Sequence, residues 1–175
     1  MKGKFVGYHA EHELALYVRK ELALTGSVEK ATLKLSALGI VKGFCNGSKL
    51  DEDLLTPGWV NYHKRIPYYT FDITDMLQTG TNALAFTLGH GWAIGTIAWF
   101  GTKNYGNQPL MWCEVEVEYE DGRTEIIGSD DTFKVAFGSI RENDLYDGEN
   151  QDARCDLGDF ANKAAMFGWA TKTVD

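Results

Sequence analysis

The stretch "MWCEVEVEYE", Met111 to Glu120, alternates apolar and charged side chains almost without a break. In an extended chain Met111, Cys113, Val115, Val117 and Tyr119 fall on one side, and Trp112, Glu114, Glu116 and Glu118 on the other. A helix cannot sort residues at a period of two, so the segment reads as a strand with one face in a core and an acidic face in solvent. Three glutamates on one face resemble a comb of metal ligands. Same-face neighbours along a strand diverge from any shared centre, however, and a hydrated face is the reading they support.

The same period recurs along the chain. "LYVRKELAL", "ATLKLSALG", "IVKGFC", "ALAFTLG", "RTEIIG" and "TFKVAFG" read as further short strands. Asn46-Gly47 and Asp121-Gly122 lie between such runs, where residues tolerant of positive φ close tight hairpins. The persuasive helical piece is a single turn in "DMLQTG", which Thr74 is placed to cap and Gly80 to end. Short strands punctuated by Gly, Asn and Asp predict an all-β sandwich. No repeat, low-complexity run or linker divides the chain. Residues 1–18 read as an N-terminal arm and 19–175 as one sandwich domain.

Composition then excludes several partners. A chain of 175 residues, 44% hydrophobic and 24% charged, has the size and balance of one globular domain with a substantial core. A formal charge of −8 disfavours nucleic acid and anionic membranes, whose phosphates call for a basic face, and would suit a cation such as calcium. No apolar run approaches the ~20 residues of a membrane span. The opening "MKGKFVGYHAEHELALYV" lacks the apolar core and small-residue cleavage site of a signal peptide, so none is read there. Cys45, Cys113 and Cys155 are odd in number and lack C-x-x-C spacing, which predicts buried free thiols.

Four motifs in order give the chain a family resemblance. The first runs through Asn46-Gly47, Pro57-Gly58-Trp59, Tyr62, Lys64-Arg65 and Tyr68 to "DITD" at Asp72–Asp75. "SALG" precedes it at Ser36–Gly39, and "LGHGWAIG" and "LYDGENQDAR" follow at Leu88–Gly95 and Leu145–Arg154. Together they span about Arg19 to Trp169 and resemble the N-terminal β-sandwich domain of bacterial α-L-rhamnosidases. His90 stands where that family usually has Asn or Asp, Ala93 where an aromatic is common, and Phe133 in place of a Trp. The resemblance implies a jelly-roll, galactose-binding-domain-like fold. It further implies a module excised from a longer glycoside hydrolase, whose downstream β domains and (α/α) barrel perform the hydrolysis.

Some members of the family bind L-rhamnose on this domain through calcium, and the resemblance implies where that could occur here. A hard cation gathers carboxylate, amide and main-chain oxygens and can leave positions for vicinal hydroxyls, while an aromatic ring covers the apolar face of the sugar. "LDEDLL" and "GTKNYGNQPL" supply Asp53 (with Asp51 as its substitute), Asn104 and the Pro109 carbonyl as calcium ligands. Trp59, Tyr62, Asn104 and Tyr105 are the candidate carbohydrate contacts, and a rhamnose-containing glycan the expected partner. The alternative is a structural sandwich that supports the catalytic barrel.

Other clusters support plainer readings. Asp144, Asp147, Glu149, Asp152 and Arg154 could supply the carboxylate pair of a glycosidase. Carboxylates beside an arginine more often form a structural network, and no catalytic residue is assigned. His9 and His12, with Glu11 and Glu13, have H-x-x-H spacing but read as hydrated side chains of the arm. "GHGWAIGTIAWFG" lacks the Lys-Ser/Thr of a phosphate loop, and its Trp92 and Trp99 read as core or interdomain contacts.

Overall fold

A computed structural model describes residues 2–8, 14–162 and 172–173; the His9–Glu13 cluster and Trp169 lie outside the described residues. The strands are β1 (Val6–Gly7), β2 (Leu16–Leu24), β3 (Val28–Leu38), β4 (Ile40–Cys45), β5 (Ser48–Lys49) and β6 (Tyr69–Asp72). They continue with β7 (Gly80–Gly89), β8 (Leu110–Tyr119), β9 (Thr124–Gly128), β10 (Lys134–Phe137), β11 (Ile140–Asp144), β12 (Gly148–Gln151) and β13 (Lys172–Thr173). One helical turn, α1 (Gly91–Ile94), joins three 3-10 turns among the described residues.

Two antiparallel sheets face each other. The first runs β13-β1-β8-β3-β6, with β9 on the same edge of β8 as β1; the second runs β10-β2-β7-β4-β5. The inner face of the first sheet carries Leu33 and Leu35 from β3 and Cys113, Val115 and Val117 from β8. Leu16, Val18 and Leu22 of β2 and Leu84, Phe86 and Leu88 of β7 meet them from the other sheet. This is the all-β sandwich that the alternation requires, and "LYVRKELAL" and "IVKGFC" are strands over their full lengths.

The turn chemistry also acts. Asn46 (φ 50) and Gly47 (φ 89) are both left-handed, as a two-residue hairpin between β4 and β5 demands. At Asp121-Gly122 the connection is longer: Gly122 N–H donates to Tyr119 O at 2.8 Å, and Tyr119 N–H to Arg123 O at 2.9 Å. Only Gly122 (φ 83) is left-handed there, which is the signature of a type I turn followed by a bulge.

Three local expectations change. The turn at Thr74–Met76 is 3-10, and Thr74 is its first residue rather than its cap. Asp72 instead accepts from Thr74 N–H at 2.9 Å and from its hydroxyl at 2.6 Å, while Thr74 Oγ1 accepts from Ala31 N–H at 2.9 Å. Val6 and Leu14–Val18, within the stretch read as an arm, are buried strand and core residues. Finally, Glu114 leaves the hydrated acidic face. It is 8% exposed, covered by the first residues of the chain, and its Oε2 accepts from Lys2 N–H at 2.5 Å.

The outer face of the second sheet is covered as well. Arg19, 2% exposed, donates to Phe160 O at 2.7 Å and to Asn162 O, and pairs with Glu21 at 3.0 Å. The Phe160 ring meets Tyr17 and Phe44 edge-on at 5.0 and 5.9 Å, so residues 160–162 strap this face. Cys45 and Cys113 are buried free thiols, as read from their number and spacing, and Cys155 is half-buried. Burial pushes the Cys45 thiol up to about 11.

Candidate functional site

At one edge of the sandwich a second, smaller core forms outside the sheets. Tyr62, Ala93 and Ile94 are buried together, with Leu38, Val60, Ile66, Trp92 and Tyr105 packed against them. The chain reaches this place for local reasons. Val41 N–H holds Thr56 O at 2.8 Å, so the loop after β5 is pinned to β4 before it turns. Gly58 (φ 83) closes that turn with a 2.8 Å bond from its N–H to Leu55 O, and Tyr62 Oη donates to Gly58 O at 2.6 Å. From the other side, Lys103 N–H donates to Ile94 O at 2.8 Å and Tyr105 N–H to Ala93 O at 3.2 Å, tying the 101–105 loop to α1.

These ties bring two loops together around a concavity of about 410 Å³. Trp59, Phe100 and Tyr105 give it aromatic walls, and Asn61, His63, Ile97 and Asn104 complete the lining. No lining residue is an Asp, Glu, Lys or Arg. Tyr105 is held by T-shaped contacts to Tyr62 and His63, each at 5.0 Å. Trp59 is 55% exposed at the rim, and Asn104 Nδ2 donates to Gly101 O at 3.0 Å. Burial, and next the neighbouring Tyr105 hydroxyl, push the Tyr62 phenol up to about 12, so it stays neutral at any ordinary pH.

The sequence-derived residues divide. Trp59, Asn104 and Tyr105 line the concavity, whereas Tyr62 lies beneath it as a buried support. Phe100 and Asn61 were missed, while His63 belongs to the Pro-Gly turn region that the sequence marks for function. Loop residues have no periodicity to betray them, and only the exposure of Phe100 at 75% would have marked it. Trp99 is not a core residue: it stands 96% exposed on the 3-10 turn Ala98–Phe100. Trp92 is half-buried in the small core.

The oxygens expected to hold calcium do not gather at this concavity. Asp51 faces the Lys42 ammonium at 3.8 Å, and the exposed Asp53 offers its main-chain carbonyl to the same Lys42 at 3.2 Å. The Pro109 carbonyl lies against Gly7 of β1, where an added Cβ would meet it at 2.6 Å. Among the described residues no group of three or more His, Cys, Asp or Glu is placed to hold a metal. Of the expected ligands Asn104 alone lines the concavity. This donor set does not fit a calcium ion, which needs six to eight converging oxygens.

The carboxylates of "LYDGENQDAR" and its approach have structural work. Asp144 accepts from Thr96 N–H at 2.6 Å and Tyr146 N–H at 2.7 Å. Burial opposes its charge, but these main-chain donors outweigh it and hold the carboxyl below its usual range. Asp152 caps a 3-10 turn and pairs with Arg154 at 2.7 Å, and the Arg154 bond holds it low too. A glycosidase acid must have its proton affinity raised, so neither carboxyl is prepared for that role.

Comparison with known proteins shows the family and agrees with the fold. Residues 26–173 match the family model described as the α-L-rhamnosidase N-terminal domain. An α-L-rhamnosidase of Streptomyces avermitilis is 41% identical over 127 residues, which is 73% of this chain and 12% of that protein. The solved structure of an S. avermitilis α-L-rhamnosidase complexed with L-rhamnose superposes with a TM-score of 0.89 at 36% identity, over 93% of this chain and 16% of that one. Native α-L-rhamnosidase from Aspergillus terreus gives 0.92 at 28% identity, over 99% of this chain and 21% of that one. The chain therefore spans 12–21% of such relatives' length.

Proposed function

The chain belongs to the α-L-rhamnosidase N-terminal domain family, and from that membership we propose that it is a non-catalytic accessory domain holding a rhamnose-type sugar between Trp59, Asn104 and Tyr105. The observation that carries the reading is the character of the concavity: aromatic walls, two carboxamides, one imidazole and no Asp, Glu, Lys or Arg. A 6-deoxyhexose has an apolar C–H face and methyl group for the rings, and neutral hydroxyls for amide donors and acceptors. A phosphate or a carboxylated sugar would find no lysine or arginine here. The relative solved with L-rhamnose lends the ligand class its name. Hydrolysis is assigned to parts of the enzyme outside this domain, in keeping with the structural work of Asp144 and Asp152.

Calorimetric titration with L-rhamnose tests the reading. Saturable binding that Trp59→Ala or Asn104→Ala weakens at least tenfold is expected. A chelator arm separates direct contact from contact through a cation. A flat titration at millimolar sugar would return the domain to a purely structural role beside the catalytic barrel.

A further inference from the structure

We infer that the concavity continues onto a second aromatic platform, the indole of Trp99, so that this edge takes a glycan of two or more sugar residues. The inference rests on the sugar reading above and extends it. Trp99 is 96% exposed beside Phe100 at 75%, and Phe100 shares the concavity with the exposed Trp59, so the three rings offer apolar surface in series rather than singly, the arrangement that marks an interaction site. It is not a frayed loop. Ile97 N–H donates to Gly101 O at 2.9 Å and Phe100 N–H to Ile97 O at 2.8 Å, while Ile97 is buried below. Ala98 (φ 43) and Gly101 (φ 71) are both left-handed, and between them the turn is held with Trp99 at its outer side. The chain accepts left-handed backbone at an alanine to keep this shape, although only glycine adopts it freely.

Position identifies the occupant. Phe100, the next residue, lines the concavity with Trp59, so the Trp99 backbone begins one residue, ~3.8 Å, beyond the wall of the first subsite. Ala98, Phe100 and Gly101 around it are uncharged, and the concavity lining carries no Asp, Glu, Lys or Arg. A neutral glycan whose first residue sits at Trp59 and Tyr105 can therefore lay its second across Trp99. Stacking on an exposed indole is tolerant of ring stereochemistry, so this second position selects for chain length more than for sugar identity.

The test uses the intact chain, methyl α-L-rhamnoside as the single residue and a rhamnosyl disaccharide as the extended ligand. The wild-type protein is expected to hold the disaccharide several-fold more tightly, with a change in tryptophan emission. Trp99→Ala should erase that advantage and leave the monosaccharide affinity unchanged, and Trp99→Phe should restore part of it. Full exposure makes both variants benign for folding. Equal affinity for the two ligands in the wild type would overturn the second platform, as would an unchanged advantage in Trp99→Ala, which would leave Trp99 to an interdomain contact. Absence of binding by the monosaccharide itself would instead defeat the sugar reading on which the inference stands.

Discussion

Asn46 and Asn82 bond to each other through the body of the domain, Asn46 Nδ2 donating to Asn82 Oδ1 at 2.8 Å. Asn82 is wholly buried at the start of β7, and Asn46 forms the hairpin between β4 and β5. Every hydrogen-bonding atom of the Asn82 amide is used. Its oxygen also accepts from Gln78 N–H at 3.0 Å, and its Nδ2 donates to Gln78 O at 2.6 Å and Gly80 O at 3.0 Å. Asn46 in turn donates to Met76 O at 2.8 Å and accepts from Ala83 N–H at 2.8 Å. One hairpin, one 3-10 turn and one central strand are thus joined by two carboxamides.

Removing one of them strands the rest. Asn82→Ala removes four hydrogen bonds made by a wholly buried amide and leaves the half-buried Asn46 amide and the Gln78 N–H without that partner, at about 1 kcal/mol for each bond lost. A loss of about 3 kcal/mol in chemical denaturation is expected. Asn82→Asp should lose a comparable amount, because a carboxylate cannot donate to Gln78 O or Gly80 O and puts charge in their place. A loss below ~0.5 kcal/mol for both variants would show that the pair carries no stability.

Glu114 gives the domain an acid-sensitive clasp. Lys2 N–H holds the carboxylate first, burial opposes the charge, and Gly3 N–H adds to the hold, so its proton affinity lies below the usual glutamate value. A carboxyl lowered in the folded state stabilises fully above its unfolded value, ~4.3, and that stability fades as pH falls through the lower folded value. Denaturation midpoints should accordingly drop on acidification below about pH 4.3, and the Gly3–Gly7 amides should exchange faster. Glu114→Gln should start lower at pH 7, by about 1–2 kcal/mol for the lost charge-assisted bonds, and show a shallower acid slope. Parallel acid slopes in the two proteins would remove the clasp.

The residues explain why the fold was legible and the site less so. Alternation in β8 and β2 states which atoms enter the core, and Asn46-Gly47 states where the chain reverses, because both are consequences of local geometry. Glu114 broke the pattern since its cover comes from Lys2 and Gly3, more than a hundred residues away, which no window on the sequence can see. Trp59, Asn104 and Tyr105 were named from family resemblance, and the structure brings them together. Phe100 and Asn61 escaped notice because their place depends on α1 pulling one loop against another. Of the residues read as calcium ligands, Asn104 lines the concavity, while Lys42, in a strand, faces Asp51 and the Asp53 main-chain carbonyl, a contact that no window on the sequence shows.

The support beneath the concavity can be tested apart from its lining. Tyr62→Phe keeps the ring edge against Tyr105 and removes only the 2.6 Å bond from Oη to Gly58 O. Stability should fall by about 1 kcal/mol, since the carbonyl near the surface can turn to water. Sugar affinity should fall several-fold more than that bond's position suggests, because Gly58 sets the backbone from which Trp59 rises. The alkaline limb provides a second readout. Tyr62 titrates near 12 in the fold against ~10 in the unfolded chain, so the neutral phenol stabilises fully below pH 10 and loses that contribution as pH rises from 10 to 12. The wild-type protein should therefore lose stability across that window from this group, and Tyr62→Phe should lack that component. An identical alkaline limb in both proteins, with unchanged sugar affinity, would show that the hydroxyl neither braces the turn nor positions Trp59.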